Sequence, residues 1–388
     1  MKEISVLSEG KILSRIFFGE LITDVIEHLS PYNKIFIVYD NSVKTFAEQL
    51  SEKINRKYEK EAGIQNKEED LAPWVVSSKG LTLNEEEKNI HTSLDICRWL
   101  LENNADRDAL LLGIGGGITT DITGFAGSIY KRGIRFAFIP TTLLSQVDAS
   151  IGGKNGVNFL DYKNMLGVTK QPDFIFSCPE VFDTLPYRDI VSGSAEMLKT
   201  FIIGDEASYE KAVNLFSQIN SSPGKNISLK KKDLLELIRA AATIKAGIVG
   251  RDQFERGERK KLNLGHTFAH AIEWKANTMN GKQENKTPFD GYDISHGEAV
   301  AIGIAMSASL SEESGFAEKG LAQKIIGDLA SCGLPTASPF KKTDLAEAMK
   351  KDKKAENNLV NFILIKRIGE VAIQKMDVYE AIKAIEKY

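Results

Sequence analysis

Cysteine is nearly missing from this chain: Cys97, Cys178 and Cys332 are the only three in 388 residues, and they are far apart and odd in number. That excludes a disulfide framework and a zinc site built on thiolates, and it points to a reducing compartment. Long apolar runs are missing too. No stretch of about 18 apolar residues occurs, and the first residues lack the apolar core of a secretion signal, so a soluble cytoplasmic protein without a membrane partner is expected. Charge of one sign is not in excess: 50 Lys and Arg stand against 53 Asp and Glu, a net of -3. No basic tract is dense enough for a nucleic-acid footprint, and the run Lys230-Lys231-Lys232 reads as a solvated helix end. Internal repeats, coiled-coil heptads and low-complexity tracts are absent as well.

A chain of 388 residues exceeds the roughly 250 to 300 at which a single core stops growing, so two domains are expected. In the first half, short apolar runs at 34–39, 109–112 and 136–139 end at turn residues, the pattern of buried parallel strands. Between them, residues 89–101 place Ile90, Leu94, Cys97 and Leu101 at helical spacing. This alternation predicts an α/β Rossmann-like dinucleotide-binding domain over 1–187. After about Pro186 the period becomes helical. Leu234, Ile238, Ala241, Ile244 and Ile248 share one face within 229–249, and 377–388 reads as a terminal helix. A mainly α-helical domain is therefore predicted over 188–388. Two polar inserts, 220–226 and 275–293, read as exposed loops.

Histidine is scarce and unevenly placed. Three of the five fall at 266, 270 and 296. His266 and His270 stand four apart at a predicted helix start, so their rings project from one face, as in a metal site or as two ordinary helix histidines. The turn Gly113-Ile114-Gly115-Gly116-Gly117 follows an apolar strand and leads into a helix carrying Asp121. Glycines there let the backbone approach a pyrophosphate, whose charge meets unpaired amides at the helix start, although a plain tight turn has the same composition. After the strand at 136–139, residues 140–154 gather Thr141, Thr142, Asp148 and Lys154 where open α/β sheets bind ligands. The dipeptide Lys163-Asn164 says little alone. Glu196 and Lys199, three apart on a helical face, read either as a surface ion pair or as the oxygen donor that two histidines need for a three-ligand zinc site.

These stretches, taken together and in order, resemble the 3-dehydroquinate synthase family. The resemblance is carried by Gly115-Gly116-Gly117 with Asp121, Arg132-Gly133, Pro140-Thr141-Thr142-Leu143-Leu144 through Lys154, Lys163-Asn164, Thr184-Leu185-Pro186, and Ala195-Glu196 with Lys199. It continues through Arg259, Asn263, His266 and His270, then His296-Gly297-Glu298-Ala299-Val300, and ends at Asp352-Lys353-Lys354. It spans about residues 85 to 366. The resemblance implies conversion of 3-deoxy-D-arabino-heptulosonate 7-phosphate to 3-dehydroquinate and phosphate, with NAD and Zn2+, or another divalent ion such as Co2+, as cofactors. It implies Glu196, His266 and His296 as metal ligands, and it makes His270 a substrate contact rather than the partner of His266. NAD would meet Glu85, Lys88, Gly115, Gly116, Gly117, Asp121, Thr141, Thr142, Lys154, Lys163 and Thr184.

The implied sugar phosphate substrate carries two anionic ends. Lys245 and Arg259 are candidates for its carboxylate, and Lys154, Asn164, His270 and Lys353 for its phosphate. Asp148, Lys199 and Asn263 would surround the reacting hydroxyls. Arg132 would reach into the site of a second copy, which implies a homodimer. The chain departs from the family pattern at Thr120 and Ala269, where glycine is usual, and in the segment 84–88. Thr120 matters for the pyrophosphate turn, because a β-branched residue resists positive φ. Rival readings are another sugar phosphate cyclase whose heptulose phosphate lacks the carboxylate, an NAD- and metal-dependent polyol dehydrogenase, and a non-catalytic nucleotide-binding module. The pair Lys245 and Arg259 argues against the first, since two cations without an anionic partner are costly in a closed site.

Overall fold

The computed structural model describes residues 2–65, 75–160, 162–222, 230–281, 293–351 and 359–385. The chain divides into two compact units, Met1–Leu185 with Leu234–Phe254, and Pro186–Asp233 with Glu255–Tyr388. A segment from the second half of the sequence thus belongs to the first unit, an exchange that a single boundary at 187/188 does not express.

The first unit opens with an antiparallel hairpin, β1 (Lys2–Ser8) and β2 (Lys11–Phe18). Then come β3 (Lys34–Asp40), α1 (Lys44–Gln65), β4 (Val75–Leu81), α2 (Ile90–Glu102) and β5 (Leu110–Gly115). They are followed by α3 (Gly117–Ile129), β6 (Arg135–Pro140), a hairpin of β7 (Lys154–Phe159) and β8 (Tyr162–Thr169), and β9 (Phe174–Ser177). Seven strands form one sheet in the order β1-β2-β9-β6-β5-β3-β4, parallel from β2 onward. Strands β3, β5, β6 and β9 are buried on both faces, which is why their sequences read as unbroken apolar runs rather than as alternation.

The path of the chain locates the ligand crevice. From β3 it moves outward to β4, α2 carries it back past β3 to β5, and α3 leads on to β6. The order reverses between β3 and β5, and sheets of this kind bind ligands at the carboxyl ends of the strands on either side of such a reversal. The helix α3 starts at that point. A Cβ on Gly115 would lie 2.2 Å from the Thr119 hydroxyl oxygen, so the strand-to-helix corner closes only around a residue with no side chain. The expected difficulty at Thr120 does not arise. That residue lies inside α3, buried, with its hydroxyl donating to Gly117 O at 3.0 Å, an ordinary helical arrangement for threonine.

The second unit contains α4 (Tyr187–Gly204) and α5 (Glu206–Ser221). The next helix, α6 (Lys231–Arg251), lies from Leu234 onward in the first unit. The second unit resumes with α7 (His266–Gly281), α8 (His296–Glu313), α9 (Leu321–Ser331) and α10 (Lys342–Lys351). It closes with a hairpin of β10 (Leu359–Arg367) and β11 (Glu370–Asp377) and the short helix α11 (Val378–Ala384). Helices α4 and α8 are buried nearly all round, as central helices are. Two expectations need adjustment. The predicted loop at 275–293 starts as helix, because Ala276 is buried and Lys275 pairs with Asp344 of α10 at 3.4 Å; residues 282–292 lie outside the described residues. Residues 220 and 221 close α5, and 223–226 likewise lie outside.

Candidate functional site

In the second unit, α4, α7 and α8 bring Glu196, His266 and His296 together, with one ligand atom from each lying within 4.8 Å of the others. Glu196 is fully buried. Its Oε1 lies 3.6 Å from His266 Nε2 and 3.2 Å from His296 Nε2, and its Oε2 lies 2.5 Å from Lys199 Nζ. Among the described residues, the two carboxylate oxygens meet charge and ring nitrogens but no well-aligned hydrogen-bond donor. Burial opposes charge on Glu196, yet Lys199 and the two imidazoles outweigh it and hold the carboxyl well below its usual range. The histidines diverge. Burial beside Lys199 pushes His266 down to about 3, whereas against burial the contacts with Glu196 and Glu273 raise His296 to about 10. A buried anion with two imidazole nitrogens facing it is the donor set of a three-ligand divalent-metal site.

Glycines allow this convergence. A Cβ on Gly297, next to His296, would lie 2.0 Å from the Ser192 carbonyl oxygen of α4, and one on Gly303 would lie 2.1 Å from the Gly265 carbonyl oxygen. The backbone of α8 therefore touches that of α4 and of the turn before His266. His270 follows on α7 with its ring centroid 5.5 Å from that of His266, but it is exposed and outside the three-residue group. Asn263 ends a 3-10 turn, Glu258–Asn263, in which Arg259 is buried, and its amide donates to Glu255 Oε1.

In the first unit, the Gly115-Gly116-Gly117 turn stands at the crevice, with Gly116 as the N-cap of α3. Asp121, one turn into α3, pairs with Lys88 at 2.6 Å, and Lys88 Nζ also donates to Asn164 Oδ1 at 2.7 Å. Asn164 holds a left-handed backbone, φ 53°, in β8. Glu85 Oε1 accepts from Asn158 at 2.8 Å. Thr141 follows β6, its amide donating to Gly115 O at 2.9 Å, and Thr142 folds onto Ser145 to start a π-helical turn, Ser145–Ala149. Turns of this kind recur at functional sites. It presents Asp148 to the buried Lys245 of α6, whose Nζ donates to Asp148 O at 2.7 Å and to Oδ1 at 2.6 Å.

Of the remaining predicted residues, Lys154 and Lys163 are exposed on the β7–β8 hairpin and Thr184 is exposed after a 3-10 turn. Arg132 is exposed with φ 69°. Lys353 and Lys354 lie outside the described residues. Three residues of these clusters were not singled out by sequence: Glu255, Glu273 and Gln146. Gln146 is fully buried in the π-helical turn, its amide donating to the carbonyls of Pro140 and Cys178 at 3.1 Å each, and its oxygen accepting from Ser177. It stands inside the motif 140–154, but nothing in that run marks it as a clamp.

Asp121 sets a testable pH dependence. Burial, partly offset by Lys88, raises its carboxyl to about 6, while the side chain keeps 17% exposure. A carboxyl raised in the fold adds stability that is fully present below its unfolded value near 4 and is lost as pH rises through about 6. The stability difference between the parent and Asp121→Asn should therefore fall by on the order of 2 kcal/mol between pH 4 and pH 6.5, read from urea unfolding. A difference that stays flat over that window contradicts the assignment.

The 3-dehydroquinate synthase N-terminal family matches residues 80–192, and the 3-dehydroquinate synthase C-terminal family matches residues 193–355. A 3-dehydroquinate synthase of Pyrococcus abyssi is 34% identical over 364 residues, covering 93% of this chain and 96% of that one. The fold is shared with 2-deoxy-scyllo-inosose synthase, solved with carbaglucose-6-phosphate, NAD+ and Co2+, at a TM-score of 0.79 and 20% identity, covering 100% and 99% of the two chains. It is also shared with a 2-epi-5-epi-valiolone synthase from Streptomyces hygroscopicus, solved with NAD+ and Zn2+, at a TM-score of 0.76 and 22% identity, covering 96% of each. With both domain families matched in sequence order and a relative aligned along almost its whole length, this chain belongs to the 3-dehydroquinate synthase family.

Proposed function

We propose that the protein converts 3-deoxy-D-arabino-heptulosonate 7-phosphate to 3-dehydroquinate and inorganic phosphate, using NAD and a divalent metal, zinc or cobalt. The observation that carries the reading is the buried group Glu196, His266 and His296 in a chain of this family. The donor set fits such an ion: one ionised carboxylate whose oxygens meet no aligned donor, and two imidazoles turned toward it. When bound, the metal supplies a Lewis acid that polarises substrate hydroxyls. NAD, when bound at the Gly115-Gly116-Gly117 turn, supplies a reversible hydride acceptor.

The chain's own residues then have definable work. Lys199 keeps Glu196 ionised at the bottom of the site. The Leu264 carbonyl, 3.2 Å from His266 Nδ1, holds that proton and leaves Nε2 as a lone-pair donor. Asp148 fixes the Lys245 ammonium through two acceptors, so that the charge points in one direction before substrate arrives. In this reading Lys245 and Arg259 neutralise the substrate carboxylate, while Lys154, Asn164 and His270 meet its phosphate. Asn263 and Asp148 orient the reacting hydroxyls. Thr141, Thr142, Glu85, Lys88 and Asp121 position the dinucleotide, with Lys163 and Thr184 at its margins. A cytoplasmic homodimer in which Arg132 completes the site of the second copy belongs to the same reading. No helix among the described residues is long and apolar enough to cross a membrane.

Membership of the 3-dehydroquinate synthase family favours a substrate with a carboxylate over a heptulose phosphate without one. Purified protein supplied with NAD and Zn2+ should release phosphate from the heptulosonate phosphate and not from sedoheptulose 7-phosphate. The reverse preference moves the chain to another cyclase activity. Net NADH formation from a polyol, with no phosphate released, moves it to a dehydrogenase.

A further inference from the structure

His266 and His296 both turn Nε2 toward Glu196, so each ring needs its proton on Nδ1 if Nε2 is to offer a lone pair. The two rings are oriented by different means. For His266 the partner is a backbone carbonyl, Leu264 O, two residues back. His296 is the first residue of α8, and the carbonyl just before it, Ser295 O, already accepts from Ala299 N at 3.0 Å. Its Nδ1 instead lies 3.3 Å from Oε1 of Glu273, a carboxylate on α7 that is 9% exposed despite its charge. Glu273 follows His266 by seven residues, which places both on one face of α7. One helix thus supplies a ligand and also holds the ligand that the neighbouring helix supplies.

We propose that Glu273 is a positioning residue of the metal site, accepting the His296 Nδ1 proton and fixing the ring with Nε2 aimed at the Glu196 group. The proposal rests on reading Glu196, His266 and His296 as metal ligands. A carboxylate in this position sets the tautomer and rotation of a ligating imidazole and raises its basicity, and losing it typically costs 10- to 100-fold in metal affinity. A role confined to packing α7 against α8 predicts otherwise: a lower melting temperature with unchanged affinity in the folded protein.

The test is the Zn2+ affinity of the full chain, measured by competition with a chromophoric chelator, for the parent, Glu273→Ala and Glu273→Gln. Melting followed by circular dichroism serves as the fold control. Alanine should weaken binding by about 10- to 100-fold, and glutamine, whose amide oxygen still accepts from Nδ1, should lose clearly less. Should the alanine variant fail to fold, Glu273→Leu fills the space without an acceptor and takes its place. Equal affinity in the parent and the alanine or leucine variant overturns the proposal, as does glutamine binding as weakly as alanine. A parent that does not bind Zn2+ overturns the metal-site reading itself, a result distinct from a variant that matches a zinc-binding parent.

Discussion

Glu196→Gln is expected to lower phosphate release by about a thousandfold or more and, at the same time, to destabilise the fold. The substitution keeps the shape of the side chain and removes its charge. What remains is the Lys199 ammonium, 1% exposed, whose carboxylate counterion stood 2.5 Å away. Leaving one member of a buried pair ionised costs about 3–5 kcal/mol. Removing the other member should cost less, because in Lys199→Met the Glu196 charge still faces two imidazoles at 3.2 and 3.6 Å. The double variant Glu196→Gln/Lys199→Met should then recover most of the stability lost in Glu196→Gln while remaining inactive. That separation is the useful part: it distinguishes a charge kept for a metal from a charge kept for the fold. Denaturation midpoints for the four proteins, with phosphate release assayed alongside, check it. A Glu196→Gln protein with near-parent turnover contradicts the assignment of the site.

Gly297→Ala is expected to be the second most damaging single change, although it adds only one methyl group. Its Cβ would lie 2.0 Å from the Ser192 carbonyl oxygen, and both partners are backbone, so no side-chain rotation relieves the overlap. The first turn of α8 must move by on the order of 1 Å or more, and overpacking of this kind costs about 1–3 kcal/mol. His296 stands beside Gly297 and moves with it. Metal sites tolerate displacements of only about 0.2 Å, so Zn2+ affinity should fall by on the order of 100-fold or more. Gly327→Ala supplies the contrast. Gly327 lies within α9, and a Cβ there would meet nothing within 4 Å, so the change should stabilise by about 0.5–1 kcal/mol and leave Zn2+ affinity untouched. Calorimetric melting and chelator competition on the two variants read both effects. A Gly297→Ala protein that binds Zn2+ like the parent contradicts the account of how the helices converge.

Legibility in the sequence followed burial. Strands β3, β5 and β6 are buried on both faces and announce themselves as apolar runs closed by turn residues. The hairpin β10–β11 is the exception: Phe362, Ile363, Leu364 and Ile365 form a buried apolar run in β10, but it sits among segments of helical period and its partner β11 is broken by polar residues. Helix α7 was cut short at 275 because composition turned polar there, whereas an ion pair from Lys275 to α10 and a buried Ala276 carry it on. The return of Leu234–Phe254 to the first unit is a property of the path in space, and no local pattern encodes it.

The candidate site divides in the same way. The i, i+4 spacing of His266 and His270 suggested that both bind one ion, since residues on one helical face look equivalent in one dimension. In three dimensions, the group that closes around Glu196 takes its second histidine from α8. The three-residue spacing of Glu196 and Lys199 was visible, but the full burial that turns an ordinary surface pair into a strong one was not. Glu273 could have been found at position i+7 from His266, had the face been followed one turn further.

The most direct measurement counts phosphate against NADH. Protein stripped by a chelator is reconstituted with Zn2+ and one equivalent of NAD per chain, then given excess 3-deoxy-D-arabino-heptulosonate 7-phosphate. The account predicts many phosphates released per chain with no net NADH at 340 nm, and no release when Zn2+ is withheld. One phosphate per NAD with NADH accumulating in step, or release that is indifferent to the metal, would contradict it.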